Sequence, residues 1–339
     1  MKALVIEAPG RYGIRERPRP VPLPGQALVR VRRYTICTGD LELLDGTNTD
    51  EPIAYPLVPG HEWSGVVEAA PDAPSLEGKG VVGVNQITCL ACKACLEGRW
   101  NLCPSAKELG FTLDGCAAEF LVTNIRNLRV VPPGLSLEDA SALEPLAVCV
   151  SGFLDARMRA GDRVLVVGGG AIGLFSAQVA RALGASSVIL AGRREKRLLL
   201  AREVGADVVI DVAKTPLSEA IRTGAVPPVD LAVETSGNPA AFADCVDACA
   251  RGGRVLLLGT YVGARPPVAL NAILLKGLSV IGSVGSYPAA WDVGLALAAR
   301  GLVRLGPLIT HVLPFADYEK GFGFVRGKKD DVVRVSLQI

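Results

Sequence analysis

The sequence predicts an α/β protein in two parts: a β-rich unit, and a doubly wound parallel sheet with helices on both faces. Three observations carry that prediction. Half of the 339 residues are hydrophobic but only 5% are aromatic, so the apolar content is mostly valine, alanine and leucine, which suits strands buried on both faces. From about residue 162, short apolar runs alternate with helix-like segments, the mark of crossover units and a parallel sheet. Before that point the chain is rich in proline and glycine and carries only short β-like runs. The length allows two domains or one large one, with a core that needs no covalent staples. Lys and Arg number 36 against 34 Asp and Glu, and a net charge of +2 excludes a strong electrostatic grip on nucleic acid or an anionic membrane.

The elements follow in order. Ala27–Val31, Gly65–Glu68 and Glu119–Val122 read as strands of the first unit, and Leu137–Leu146 as a helix after the proline-containing stretch Val131–Leu135. Arg163–Val167 is a short apolar strand, Ala171–Leu183 a helix, Ser187–Ala191 a strand and Glu195–Val204 a helix. Asp207–Ile210 and Asp230–Glu234 are strands, Ala240–Ala250 is a helix, and Arg254–Gly259 and Ser279–Gly282 close the series. A helix after 290, a β-like Leu308–Leu313, a short helix at Tyr318–Phe324 and a last strand Asp331–Leu337 complete the chain. The opening MKALVIEAPG has no signal-peptide core. The longest uncharged stretch, Val164–Ala180, is broken by the run Gly168-Gly169-Gly170 and falls short of the ~20 residues of a membrane span. The expectation is a cytoplasmic protein, in which cysteines serve as ligands, nucleophiles or small core residues rather than disulfides.

Gly168, Gly170 and Gly173 form G-x-G-x-x-G between a predicted strand and a predicted helix, with Ala171 and Ile172 between them. The first glycine permits the tight turn, the second lets backbone amides approach a pyrophosphate, and the third lets helix and strand pack closely. The helix N-terminus adds partial positive charge. NAD would call for Asp or Glu about 20 residues on, to hold the ribose 2′-hydroxyl. There the chain reads Gly192-Arg193-Arg194, which offers space and two guanidiniums to a 2′-phosphate. This predicts NADP(H) over NAD(H); otherwise the arginines only start a solvated helix.

There are nine cysteines beside two histidines. Cys89, Cys92, Cys95 and Cys103 form C-x2-C-x2-C-x7-C, and four thiolates on one short loop close a tetrahedral, structural zinc site. An iron–sulfur cluster is the other reading. His61 stands in Gly60-His61-Glu62, Cys37 in Cys37-Thr38-Gly39-Asp40, and Glu144 in Leu143-Glu144-Pro145-Leu146-Ala147. Each taken alone is an ordinary core residue. His311 reads as structural or interfacial, and Cys116, Cys149, Cys245 and Cys249 have no ligand-like neighbours.

These residues, the four-cysteine lobe, the glycine motif and Glu234-Thr235-Ser236-Gly237 together resemble the zinc-dependent medium-chain alcohol and polyol dehydrogenases, in the branch of sorbitol, threonine and glucose dehydrogenases. The resemblance spans nearly the whole chain. It implies a GroES-like catalytic domain over 1–147, a Rossmann NADP(H) domain over 148–289, and a return to the catalytic domain over 290–339. It implies a second, catalytic zinc held by Cys37, His61 and Glu144, with Glu62 replacing water as a ligand in some states, and it places Ser236 among the cofactor-binding residues. Cys, His and carboxylate leave one tetrahedral position open, as a zinc that polarises an alcohol oxygen requires. Family members carry Ser or Thr two residues after the ligand cysteine as a proton relay. Here that position is Gly39, and Thr38 either substitutes for it or only satisfies loop backbone. The implied activity is hydride transfer between NADP(H) and a secondary alcohol or ketone of a polar substrate such as a polyol, sugar or cyclitol. The stretch Glu108-Leu109-Gly110-Phe111 with Asp114-Gly115 is similar to aminocyclitol enzymes. The alternatives are a reductase of activated C=C or C=N bonds and a non-catalytic NADP(H) sensor. The family also implies a homodimer or homotetramer, often joined through the last strand of the nucleotide sheet, here about Leu278–Ser283.

Overall fold

The computed structural model describes residues 1–47, 53–261, 267–327 and 331–339. They fall into two compact units. One comprises Met1–Glu144, Ser286–Ala299 and Ile309–Ile339, and the other Pro145–Gly285 and Arg300–Leu308. These bounds differ by a few residues from the division at 147/148 and 289/290, and residues 300–308 pack with the second unit. The cause is a reciprocal pair in which Gln178 receives the Arg304 N–H at 2.7 Å and donates to the Arg304 carbonyl at 3.2 Å.

The first unit is built on a seven-stranded sheet. Its path runs Ile309–Pro314, Arg334–Gln338, Gln26–Thr35, Trp63–Ala69, Gly80–Gly83 and Leu128–Val130, with Phe120–Asn124 also pairing to Gln26–Thr35. All pairs are antiparallel except Ile309–Pro314 with Arg334–Gln338, which is parallel. The core gathers Leu4, Val29, Tyr34, Trp63, Val67, Val335 and Leu337, and each such side chain removed from water contributes about 1.5–3 kcal/mol. The last strand is the one that matters for the site. Ser336 pairs with Thr35 and Ile36 donates to the Val335 carbonyl, which brings the chain's end beside Cys37.

The second unit is a six-stranded parallel sheet in the order Val208–Asp211, Ser187–Gly192, Arg163–Val167, Val229–Glu234, Cys249–Leu257, Ser279–Gly282. The central strands are buried almost throughout, as expected where helices cover both faces. Cys245 and Cys249 lie in its core.

Five elements differ from the sequence expectation. The helix expected over Leu137–Leu146 is two helices, Leu137–Ala140 and Leu143–Asp155. Pro145 has no N–H to donate four residues back, so one helix cannot run through it. In the first turn of a new helix no such donor is required. The helices Leu217–Arg222 and Leu270–Lys276 were not expected. Both are short, and the second leaves Leu270, Leu274 and Leu275 exposed, so no buried periodicity marks it. The sheet strand expected at Arg254 begins at Cys249, and the final strand begins at Arg334 rather than Asp331. No helix among the described residues is long and apolar enough to cross a membrane.

Candidate metal and nucleotide sites

The four lobe cysteines converge, their sulfurs all lying within 4.8 Å of one another. Cys89 Sγ stands 3.9 Å from Cys95 Sγ and 3.7 Å from Cys103 Sγ. Backbone N–H groups of Ala91 and Cys92 point at the Cys89 sulfur and hold its thiol at about 6, and the Cys89 backbone together with Ser105 lowers Cys103. Both effects favour thiolates, the form that binds metal. Between residues 89 and 103 only Cys95 and Cys103 are buried, while Leu96 and Leu102 face solvent. A segment without an apolar core relies on its metal for shape, so the donor set fits a closed zinc site.

A second group is assembled from distant segments. Cys37 caps the helix Thr38–Asp45. The buried Asp40 carboxylate accepts from the Cys37 backbone N–H at 2.9 Å and from Tyr34 Oη at 2.8 Å. His61 follows Gly60, whose φ of +99° and close contacts exclude a side chain: a Cβ there would lie 2.8 Å from Cys116 Sγ and 2.9 Å from Tyr34. That turn directs His61 inward. Its Nδ1 is 3.6 Å from Asp40 Oδ1 and its Nε2 is 4.0 Å from Glu62 Oε1. The ligand atoms of Cys37, His61 and Glu62 all lie within 4.8 Å of one another.

Glu62 is almost wholly buried and is ion-paired with Arg334, itself buried, from the last strand. Burial would lower the His61 pKa, but the adjoining Cys37 sulfur and Asp40 carboxylate outweigh it and raise it well above its usual value. Burial pushes the Cys37 thiol up, and His61 beside it outweighs that and lowers it. A thiolate, an imidazole and a carboxylate held in one small buried space, with a carboxylate to orient the imidazole, fit a zinc ion.

Glu144 opens the helix Leu143–Asp155 and does not join that three-residue set. Burial pushes its carboxyl up to about 7, tempered by His61, with Glu108 and Asp40 raising it further. Thr38 is exposed in the first helical turn.

In the other unit, Gly168 to Gly173 lie between the strand Arg163–Val167 and the helix Ala171–Ala182. A Cβ at Gly173 would meet the Gly168 carbonyl at 1.8 Å, and one at Gly168 would meet Thr235 Oγ1 at 2.3 Å. A Cβ at Gly170 would meet nothing within 4 Å, so the space above the turn is open, as a pyrophosphate requires. Ala171 and Ile172 begin the helix. Gly192 ends its strand against Gly169, Arg193 is exposed, and Arg194 caps the next helix. Ser236 donates through both its N–H and its hydroxyl to Glu234, whose second carboxylate oxygen accepts from Gly237 N and Tyr261 Oη.

Several neighbours carried no local signal in the sequence. Arg334 reaches Glu62 only through sheet pairing. Arg197, one helical turn past Arg193, donates to the Gly169 carbonyl at 3.5 Å. The Phe111 ring lies 5.0 Å from that of His61. Asp40 has no sequence signal beyond its place three residues after Cys37.

Comparisons with known proteins give the family. Residues 23–133 match the family model of the alcohol dehydrogenase GroES-like domain, and residues 171–300 that of the zinc-binding dehydrogenases. An L-threonine 3-dehydrogenase of Bacillus licheniformis is 35% identical over 339 residues, covering 96% of each chain. An alcohol dehydrogenase of Escherichia coli CFT073 complexed with NADH superposes with a TM-score of 0.93 at 28% identity, over 100% of this chain and 99% of the other. A zinc-binding dehydrogenase of Sinorhizobium meliloti 1021 bound to NADP gives 0.91 at 30% identity, with the same coverage. The chain belongs to the zinc-dependent medium-chain alcohol and polyol dehydrogenase family, a family of oxidoreductases.

Proposed function

We propose that the protein is a two-zinc dehydrogenase that moves hydride between NADP(H) and a secondary alcohol or ketone of a polar substrate: a polyol, sugar or cyclitol. The observation that carries this reading is the convergence of Cys37, His61 and Glu62 within 4.8 Å, in a chain of this family. When bound, zinc supplies the Lewis acidity that lowers the pKa of the substrate hydroxyl, and the nicotinamide supplies the hydride acceptor.

The protein's residues do the rest. Cys37 and His61 would hold the ion, and Glu144, which lies outside the converged set, would be the further ligand that the family resemblance implies. Asp40, beside Nδ1, would orient the His61 ring, and Arg334 compensates Glu62, which would serve as a ligand in place of water. Thr38 Oγ1 takes the substrate proton toward solvent, from the exposed first turn of its helix. Cys89, Cys92, Cys95 and Cys103 hold the structural zinc. Gly168, Gly170, Ala171, Ile172 and Gly173 cradle the pyrophosphate. Gly192, Arg193 and Arg194, joined by Arg197, receive the 2′-phosphate, and Ser236 borders the cofactor. In this reading the unit containing Met1–Glu144 is the catalytic domain and the other is the nucleotide domain.

Two copies associate through the exposed edge strand Ser279–Gly282, which carries Val280, and through Val284 just beyond it. Nine free thiols suit a reducing cytoplasm.

The test is metal analysis with steady-state kinetics on a panel of polyols, sugars and cyclitols. Two zinc atoms per chain and a lower KM for NADP than for NAD are expected. A preference for NAD overturns the cofactor assignment, and one zinc overturns the catalytic one. The missing hydroxyl at Gly39 favours one other reading, a reductase of activated C=C or C=N bonds. Turnover of such a substrate without alcohol oxidation would establish it.

A further inference from the structure

Gly39 and Phe111 are fitted to each other. A side chain at 39 would begin 3.0 Å from Phe111 Cζ and 3.4 Å from Cε1. The ring therefore borders the place where a hydroxyl two residues after Cys37 would stand. Its other neighbour is His61, with centroids 5.0 Å apart and planes inclined at 40°. Phe111 packs on the core of its unit but stays partly exposed, and Cys37, Thr38 and Gly39 beside it are also not fully buried, so this flank is open to solvent.

The ring is held firmly. Gly110, at φ +80°, packs so closely on Gly60 that a Cβ would come within 2.7 Å of its N, C and O. The tight turn is closed by Gly110 N–H to the Leu113 carbonyl at 2.8 Å and Thr112 N–H to the Glu108 carbonyl at 3.0 Å. The backbone that carries Phe111 is thus clamped to the backbone that carries His61, and a rigid aromatic loses little entropy when it meets a ligand.

We infer that Phe111 is the substrate-facing wall beside His61 and that it selects ring polyols by packing against one of their C–H faces. This rests on the dehydrogenase reading above. A saturated six-membered ring presents polarised C–H groups on a fixed face, which the negative face of an aromatic ring attracts. An open-chain polyol has no fixed face and gives up several rotors to present one. A hydroxyl-bearing residue at 39 would press on the ring edge, which accounts for glycine there.

The test uses the zinc-loaded enzyme with NADP, with myo-inositol and D-glucose as ring probes and sorbitol as the open-chain probe. In Phe111→Ala the ratio of kcat/KM for ring over open-chain probe falls about tenfold or more, mainly through KM, and Phe111→Tyr restores it. Calorimetry reads the same wall without turnover: the ring probe that binds tightest to wild type binds about tenfold more weakly to Phe111→Ala. Thermal melting reads the fit, since Gly39→Ser lowers the midpoint in wild type and lowers it less in Phe111→Ala. Phe111→Leu stands in if the alanine variant fails to fold. Equal losses for ring and open-chain probes overturn the inference, as does equal calorimetric affinity or no ring binding at all. If neither probe class reduces NADP while ring binding still depends on Phe111, the dehydrogenase reading fails and the wall stands.

Discussion

The two cysteine-containing clusters use similar atoms and are built in opposite ways. The lobe draws four donors from residues 89–103, lies near the surface and has no apolar core of its own. The Cys37 cluster draws its groups from residues 37–62 and from the last strand, in a setting where Asp40, His61, Glu62 and Arg334 are all buried. In the lobe, a bound metal would neutralise the thiolates. In the buried cluster, protein charges already confront one another before any ion arrives. A closed site needs only proximity along the chain. An open, reactive one needs a surrounding structure that fixes orientation and excludes water.

That contrast is broken or sharpened first by removing a ligand from each cluster. His61→Ala is expected to cost roughly a thousandfold or more in kcat/KM, the scale of several kcal/mol of lost charge stabilisation, and to leave one zinc per chain. Cys95→Ser gives the mirror image, losing the other zinc and opening residues 89–103 to protease. If both variants lost both metals, the sites would not be independent.

Arg334→Leu comes next. It strands the Glu62 carboxylate without a partner, and a denaturant titration should register a loss of about 3–5 kcal/mol. A loss below 1 kcal/mol would mean that solvent reaches Glu62.

The third prediction concerns pH. Burial lifts the Glu144 carboxyl from its ordinary 4.5 to about 7, so folding favours its neutral form. That contribution is full below the unfolded value and is lost as the pH rises through 7. Metal-stripped wild type should therefore lose on the order of 2–3 kcal/mol from pH 4.5 to 8 relative to Glu144→Gln. Parallel stability curves for the two proteins would remove Glu144 from the buried charge network.

The smallest effect belongs to the lobe surface. Lys93 and Glu97 form an exposed pair at 3.9 Å, and Lys93→Ala should change stability by less than about 0.5 kcal/mol in the same titration.

The lobe was legible because its spacing is its structure: four cysteines so close in sequence have few other ways to be arranged. The glycine motif was legible for the same local reason, and so was the alternation of strands and helices around it. Cys37 and His61 were legible only together and through resemblance, since neither has a ligand-like neighbour in sequence. The break at Pro145 was written in the sequence as a missing donor, yet the apolar run across it reads as one helix. Leu270–Lys276 gave no signal because its leucines do not face a core. Arg193 and Arg194 stand nearer the strand end in sequence, yet one helical turn returns Arg197 to the glycine turn.

By itself the sequence determined the parallel sheet, the glycine turn between its first strand and helix, the clustering of four cysteines in one lobe and the absence of an acid directly after the second strand of the parallel sheet. Each depends on residues within a few turns of one another, where spacing and stereochemistry leave little freedom. Only the tertiary structure decided that Arg334 compensates Glu62, that Asp40 stands beside His61, and that Phe111 occupies the space Gly39 leaves. Those relations are set by strand pairing and by the close approach of Gly60 to Gly110, contacts between segments far apart in the chain that no local pattern encodes.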